Sequence, residues 1–229
     1  MSNPRYEELR PDQLDAARQQ APLVYVPIGS LEYHGWHLPV GFDAMHAHAL
    51  CLRAAERTGG VVLPPTFWGT RGHEGFRGSL LLQESTIAAL ARDILDQLAA
   101  QGYRLIVLFT GHWPEIQGGL LRRVAAEFAA ATPGVCALVL VPFNLHPTDT
   151  HAEHAGRVET SVMLHLRPDL TDMAALADPA ALQAIGPDCV AATAEYGQQR
   201  CEAVLPALVS AVMTRLRALP APDPADPPA

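Results

Sequence analysis

A loop rich in Gly and Pro, residues 29–43, holds the side chains of this chain that are best suited to chemistry. It follows directly after the apolar run 23–28 and combines carboxylates with imidazoles. Glu32 and His34 are two residues apart, so in an extended segment both side chains project to the same side. Asp43 follows after a turn and could also cap the next helix. Glu, His and Asp together suit a divalent ion such as Zn, Mn or Fe.

Further acidic and imidazole side chains follow the later apolar runs. His112 comes directly after the run 104–109, and a third cluster lies downstream of the run 135–141, with the members His151, Glu153 and His154. In open α/β sheets, sites form outside the carboxyl ends of the strands. We therefore expect one crevice to gather these sequence-distant clusters.

Alternating apolar runs and helical patterns set the expected fold. The runs at 23–28, 61–65, 104–109 and 135–141 are typical of buried strands, and helices are predicted over 44–57, 86–100, 115–130, 159–166 and 190–218. Ser85 is the expected N-cap of the second of these helices. Continuous apolar strands separated by helices favour a mostly parallel sheet covered on both faces. The prediction is an α/β protein with a single domain over residues 1–219, followed by a disordered Pro-rich tail at 220–229.

Composition and charge exclude several classes of function. The formal net charge is −8 and no run of Lys or Arg occurs, so neither nucleic acid nor a membrane surface is an expected partner. No apolar run reaches the roughly 18 residues of a membrane span. The four cysteines form no CxxC pair, which indicates reduced thiols, and the polar N-terminus lacks the apolar core of a signal peptide. A cytoplasmic protein is expected.

The clustered ligands have the composition of a two-metal hydrolytic site, which activates water and clamps the attacked carbonyl. Four ligands are available in Glu32, His34, Asp43 and His112. A fifth must come from Glu115, Glu153 or Glu159, and His154 is the natural candidate for a general acid or base.

Several motifs in order resemble one known family. They are Gly-Ser-x-Glu-x-His-Gly-x-His-Leu-Pro-x-x-x-Asp at 29–43, the loop 69–79, Gly-His at 111–112, and His-Ala-Gly-Arg-Val-Glu-Thr-Ser at 154–161. This pattern is similar to that of the creatininase (creatinine amidohydrolase) family. The resemblance implies a three-layer α/β/α domain, two divalent ions and hydrolysis of a non-peptide or unusual C–N bond. Family members include formamide-hydrolysing deformylases and a peptidase that trims the mycofactocin precursor, and many members assemble as hexamers.

The resemblance also implies roles for individual residues. Glu32 and His34 would each bind one ion, Asp43 would bridge both, and His112 would bind the ion that Glu32 binds. His154 corresponds to the catalytic histidine. In creatininase itself, the fifth ligand is a glutamate two residues after the histidine of the Gly-His motif, and in this chain that residue is Pro114. The resemblance therefore favours Glu159 as the fifth ligand and as part of the catalytic set. Glu115, one residue after Pro114, is the alternative.

Bulky and imidazole side chains near the ligands predict the substrate pocket. Trp36 and Trp113 stand close to the ligands in sequence and indicate a flatter or more apolar substrate than the family's usual one. His37 is expected either to orient a ligand or to pack, and His73 to contact substrate or a neighbouring subunit. The expected function is that of an amidohydrolase for a small-molecule amide, working as a homo-oligomer. The alternatives are a peptidase that trims a modified peptide precursor, or a family member that binds metal without turnover.

Overall fold

The computed structural model describes residues 3–112, 114–146 and 154–220. Within them, four parallel strands form one sheet in the order β2-β1-β3-β4. The strands are β1 (Leu23–Ile28), β2 (Val61–Val62), β3 (Leu105–Thr110) and β4 (Cys136–Leu140). The α-helices are α1 (Pro11–Gln20), α2 (Phe42–Thr58), α3 (Glu84–Ala100), α4 (Glu115–Ala131), α5 (Pro142–Leu145), α6 (Arg157–Leu166) and α7 (Ala194–Arg217).

Helices cover both faces of the sheet. Successive strand residues project to opposite faces, so neighbouring residues of one strand lie in different cores. Tyr25 and Val107 lie in a core with α2, α6 and α7, whereas Val24 and Ile106 lie in a second core with α3 and α4. Every residue of β1 and β3 is buried, as the uninterrupted apolar runs require. The predicted three-layer α/β/α architecture with a parallel sheet is therefore confirmed.

Several predicted boundaries are wrong. β2 spans only two residues, because Pro64 and Pro65 have no N–H to donate to a neighbouring strand. α3 begins at Glu84 with Gln83 as its N-cap, so Ser85 is not a cap. α2 begins at Phe42, which places Asp43 inside the first turn and frees its side chain from a capping role.

The C-terminal region also differs from the prediction. α7 begins at Ala194, where the Thr193 side chain accepts a hydrogen bond from the backbone N–H of Tyr196. The chain before it forms short 3₁₀ helices, three of which start at a proline: Pro168–Leu170, Pro179–Leu182 and Pro187–Ala191. Beyond Pro220 the predicted disordered tail lies outside the described residues. No helix in the described ranges is both long and apolar enough to cross a membrane.

Close packing of α6 on α7 generates a stability prediction. A Cβ at Gly197 would lie 1.8 Å from the Ser161 backbone oxygen, so Gly197→Ala forces the two helices apart and should destabilise the fold by roughly 1–3 kcal/mol or more. Gly119→Ala on α4 is the matched control, because its Cβ would meet only the Glu115 carboxylate at 3.8 Å. That change should stabilise the helix by roughly 0.5–1 kcal/mol. Urea unfolding of both variants measures the difference, and equal effects would contradict the packing account.

Candidate metal centre

The carboxyl ends of β1 and β3 meet the first turn of α2. β1 leads into the loop that carries Glu32 and His34, and β3 leads into His112. Two glycines permit the close approach of α2. A Cβ at Gly29 would lie 2.1 Å from the Ala44 backbone nitrogen, and one at Gly111 would lie 2.1 Å from the Asp43 backbone oxygen. The helix start is therefore held against both strand ends, which brings its acidic residue to the sheet edge.

Asp43 occupies the middle of the cluster and presents one oxygen to each side. Its Oδ1 lies 3.2 Å from His34 Nε2, and its Oδ2 lies 3.1 Å from His112 Nδ1. Glu32 Oε2 lies 3.0 Å from the same His112 nitrogen, and Glu159 Oε2 lies 3.8 Å from the His34 nitrogen. The five side chains thus form two groups of potential donors that share Asp43, and a third group joins Glu32 and His34 to His154. The atoms in each group lie within 4.8 Å of one another.

Whether a cation fits this cluster depends on which ring nitrogens of His34 and His112 carry hydrogens. His34 Nδ1 lies 3.0 Å from the Glu32 backbone oxygen, and His112 Nε2 lies 2.7 Å from the Arg71 backbone oxygen. A carbonyl oxygen only accepts, so these nitrogens carry hydrogens and the opposite nitrogens are available as ligands. Those opposite nitrogens face carboxylate oxygens, and His34 Nε2 is buried without a hydrogen-bond partner in the described chain. A lone pair directed at a carboxylate is unfavourable unless a proton or metal ion lies between them, so the donors fit a divalent cation.

The pKa values of the clustered carboxylates and imidazoles also favour a bound cation. Burial alone would raise the pKa of Glu32 and Asp43, but contact with the imidazoles lowers the pKa of Glu32 to about 2 and that of Asp43 well below its usual value. Burial alone would lower the pKa of His34, but Asp43 raises it to about 9, and the pKa of His112 is also raised, by both carboxylates. In the metal-free protein both histidines therefore hold protons at neutral pH.

Glu159 and Glu115 lie in different surroundings. Glu159, in the first turn of α6, is buried and accepts a hydrogen bond from the backbone N–H of Ala155 at 2.6 Å. The Glu115 side chain is 86% exposed, pairs with Arg122 and belongs to neither donor group. Glu153, the third candidate, lies outside the described residues.

His154 belongs to the third donor group, with Glu32 and His34. Its Nε2 is 2.6 Å from the Tyr33 backbone oxygen, and its ring centroid is 4.4 Å from that of His34. Burial lowers its pKa to about 4, with a further contribution from the positive charge of His34. The imidazole is therefore neutral near pH 7.

The predicted pocket residues lie in different surroundings in the structure. Trp36 is 54% exposed and lines an open cleft, together with Tyr33, Phe76 and Arg77. His37 is buried behind the ligands, where its Nε2 lies 2.8 Å from Thr160 Oγ1, so it does not line the cleft.

His73 contacts Glu32: its ring Nδ1 lies 2.8 Å from Glu32 Oε1. This partner was not expected from the sequence. Trp113 lies outside the described residues.

Two polar residues at the site were missed in the sequence. The Ser30 hydroxyl donates to Asp43 Oδ2 at 2.5 Å, and Ser30 stands within the Gly-Ser motif that already marked the loop. Gln117 is fully buried, and its Oε1 accepts the Thr70 N–H at 2.8 Å. The sequence spacing could have indicated its burial. Gln117 precedes Leu120 by three residues and Leu121 by four, which places it on the apolar face of α4.

Parallel strands in a three-layer fold, with acidic and imidazole donors at their carboxyl ends, define an α/β metal-hydrolase class of protein. The creatininase family model, described as creatinine amidohydrolase, matches residues 7–212. The chain therefore belongs to the creatininase family, and it is a metal-dependent hydrolase of C–N amide bonds. This confirms the family assignment that the motifs suggested.

Similar proteins carry the names of different hydrolases. Creatinine amidohydrolase of Pseudomonas putida is 32% identical over 178 residues, which cover 68% of this chain and 68% of that protein. Mycofactocin precursor peptide peptidase of Mycolicibacterium smegmatis is 34% identical over 189 residues, which cover 77% of this chain and 73% of that protein. A creatininase crystal structure is 26% identical with a TM-score of 0.79, covering 94% of this chain and 99% of that one, and a manganese form is 25% identical with the same TM-score and coverage.

The raised histidine pKa values predict that metal binding releases protons. At pH 7, Zn²⁺ binding to metal-free protein should displace roughly two protons per chain, from His34 and His112. Because a group with a raised pKa keeps its proton until the pH passes that value, the apparent affinity should increase as the pH rises from 7 toward about 9, where His34 loses its proton. Calorimetric titrations in buffers of different ionisation enthalpy measure the release. Binding without proton release would contradict the assigned tautomers.

Proposed function

We propose that the chain is a binuclear metal-dependent amidohydrolase in which Asp43 bridges two divalent ions. The supporting observation is that the two oxygens of this carboxylate face different imidazoles, at 3.2 Å from His34 Nε2 and 3.1 Å from His112 Nδ1. Glu32 would complete one ligand group and Glu159 the other. The ions would be Zn, Mn or Fe, since imidazole and carboxylate ligands suit all three. Manganese and zinc forms are known among the creatininase structures that this fold matches.

Bound at these donors, divalent ions would polarise the amide carbonyl and bring the pKa of the attacking water toward roughly 7. His154 would accept the proton of that water and return it to the leaving nitrogen. Its Nε2 is already engaged with the Tyr33 carbonyl, so Nδ1 is the nitrogen that exchanges this proton. The low pKa of His154, about 4, keeps the ring neutral at pH 7, so its Nδ1 carries no proton before the reaction.

The substrate would lie in the open cleft, which has a volume of about 580 Å³. The cleft adjoins the ligand groups because the ring of Phe76 stacks on Tyr33 at 5.0 Å and contacts His73 at 5.4 Å. Clefts of roughly 300–1,000 Å³ hold ligands of drug size, so the amide is expected to carry a group larger than a single small ring. The exposed Trp36 would cover a flat or apolar part of it.

The protein would assemble as a homohexamer, a proposal that rests on family resemblance. It would act in the cytoplasm, a proposal that rests on the widely spaced cysteines, which form no CxxC pair. The bounds of the single domain, residues 1–219, also stay a prediction.

Metal content distinguishes the two candidates for the fifth ligand. Wild-type protein purified without a histidine tag should contain about two ions per chain, one for each of the two ligand groups that share Asp43. Glu159→Gln should reduce this to about one, whereas Glu115→Gln, the exposed control, should leave it unchanged. Plasma mass spectrometry gives the counts. The assignment of Glu159 fails if Glu115→Gln loses the ion instead.

A substrate panel tests the activity and the cleft together. Metal-loaded protein is offered cyclic amides, formamides and short C-terminal peptides, and hydrolysis of a small-molecule amide is expected. On that substrate, Trp36→Ala should raise KM about tenfold, equivalent to roughly 1.4 kcal/mol, with little change in kcat. Trp68→Ala is the control, since Trp68 is also exposed but packs toward α3 away from the cleft.

Other outcomes of the panel favour the alternative functions. Cleavage confined to peptides would favour the peptidase function that the mycobacterial relatives carry in their names. Two bound ions without hydrolysis of any compound would indicate a family member that has lost turnover.

A further inference from the structure

The strained loop Thr70–His73 encloses one oxygen of Glu32. The backbone N–H of His73 donates to Glu32 Oε1 at 2.9 Å, and the ring Nδ1 of His73 lies 2.8 Å from the same oxygen. The other oxygen, Oε2, lies 3.0 Å from His112 Nδ1. The two oxygens of Glu32 therefore face different neighbours: one faces the loop, and the other faces the ligand group.

The backbone of this loop is adapted to the close contact. Gly72 has φ +148°, and a Cβ at this position would lie 2.2 Å from Glu32 Oε1, so the approach requires glycine. Arg71 has φ +49°, an unfavourable value for a residue with a side chain. Backbone strain of this kind persists only where surrounding contacts impose it, and it is concentrated at functional sites.

The same loop also holds the second ligand of that group. The Thr70 and Arg71 backbone oxygens lie 3.0 and 2.7 Å from His112 Nε2, which donates to them. The loop is anchored in turn to α4, because the buried Gln117 side chain accepts the Thr70 N–H at 2.8 Å. Its contacts in the described chain reach Glu32 and His112, the two ligands that Asp43 joins in one group.

We propose that His73 is a positioning residue for this metal group and does not serve mainly as a substrate contact. Its two donors hold Glu32 Oε1, so that the carboxylate is presented to the ion through Oε2 alone. A carboxylate only accepts, so His73 Nδ1 carries the hydrogen, and the bond to the charged oxygen is stronger than a neutral one. The proposal rests on the binuclear site proposed above and adds a determinant of affinity that acts on one ion and not on the other.

Replacing His73 with Asn and with Gln separates this role from general packing. The amide nitrogen of Asn lies near the position of Nδ1, whereas that of Gln lies near Nε2, so only Asn preserves the donor to Glu32. Metal-free proteins are titrated with Co²⁺, and the two binding events are followed by visible absorption and calorimetry. Outer contacts of metal ligands typically contribute 10–100-fold in affinity, so His73→Gln should weaken one ion by about that factor and leave the other unchanged. His73→Asn should stay within about threefold of wild type.

Gly72→Ala is a second variant with the same expected result, because its Cβ displaces the loop from Glu32 without removing a polar group. His48→Gln on α2, where His48 lies near Arg5, is the control that should change neither affinity. Urea unfolding is measured for each variant to show that the fold is retained.

Two results would overturn the proposal in distinguishable ways. Unchanged affinities in both His73→Gln and Gly72→Ala would contradict the positioning role while leaving the binuclear site intact. A wild-type protein that binds fewer than two Co²⁺ ions would contradict the proposed function itself, and the role of His73 with it.

Discussion

Three buried carboxylates arranged around two imidazoles are the constraint on which the rest of the structure depends. Two like unit charges about 4 Å apart repel by roughly 4 kcal/mol at an effective dielectric constant near 20, so such a cluster is costly unless cations neutralise it. Asp43 stands between the two imidazoles and is fully enclosed. Protons on His34 and His112 satisfy it in the metal-free protein, and two divalent ions would do so more completely.

The fold supplies this arrangement by bringing backbone elements unusually close together. Gly29 and Gly111 let α2 begin against the ends of β1 and β3, which fixes the position of Asp43. Gly197 lets α7 press against α6, the helix that carries Glu159. The proposed ligands therefore come from four separate elements, and their positions depend on packing in the core as well as on the loop conformations.

Much of the fold could be predicted because its signals are local. The uninterrupted apolar run from Leu23 to Ile28 gave a strand with the correct bounds, and the β3 run was displaced by one residue. The positions of Glu32 and His112 after these strands followed from the general placement of sites in parallel sheets.

The remaining features depend on contacts between distant parts of the chain. Asp43 has the sequence position of a helix cap, and only the meeting of α2 with two strand ends shows that its oxygens face His34 and His112. The partner of His73 depends on the path of a strained glycine loop, which no periodicity encodes. Gln117 anchors that loop from a helix 47 residues further along the chain.

An anomalous diffraction map from crystals of the zinc- or manganese-loaded protein would locate the ions relative to Asp43. Two peaks are expected on opposite sides of the Asp43 carboxylate, separated by roughly 3.5–4 Å as in other two-metal sites. One peak would be bounded by Glu32 and His112, and the other by His34 and Glu159. A single peak, or two peaks that do not flank Asp43, would contradict the proposed bridging role of Asp43.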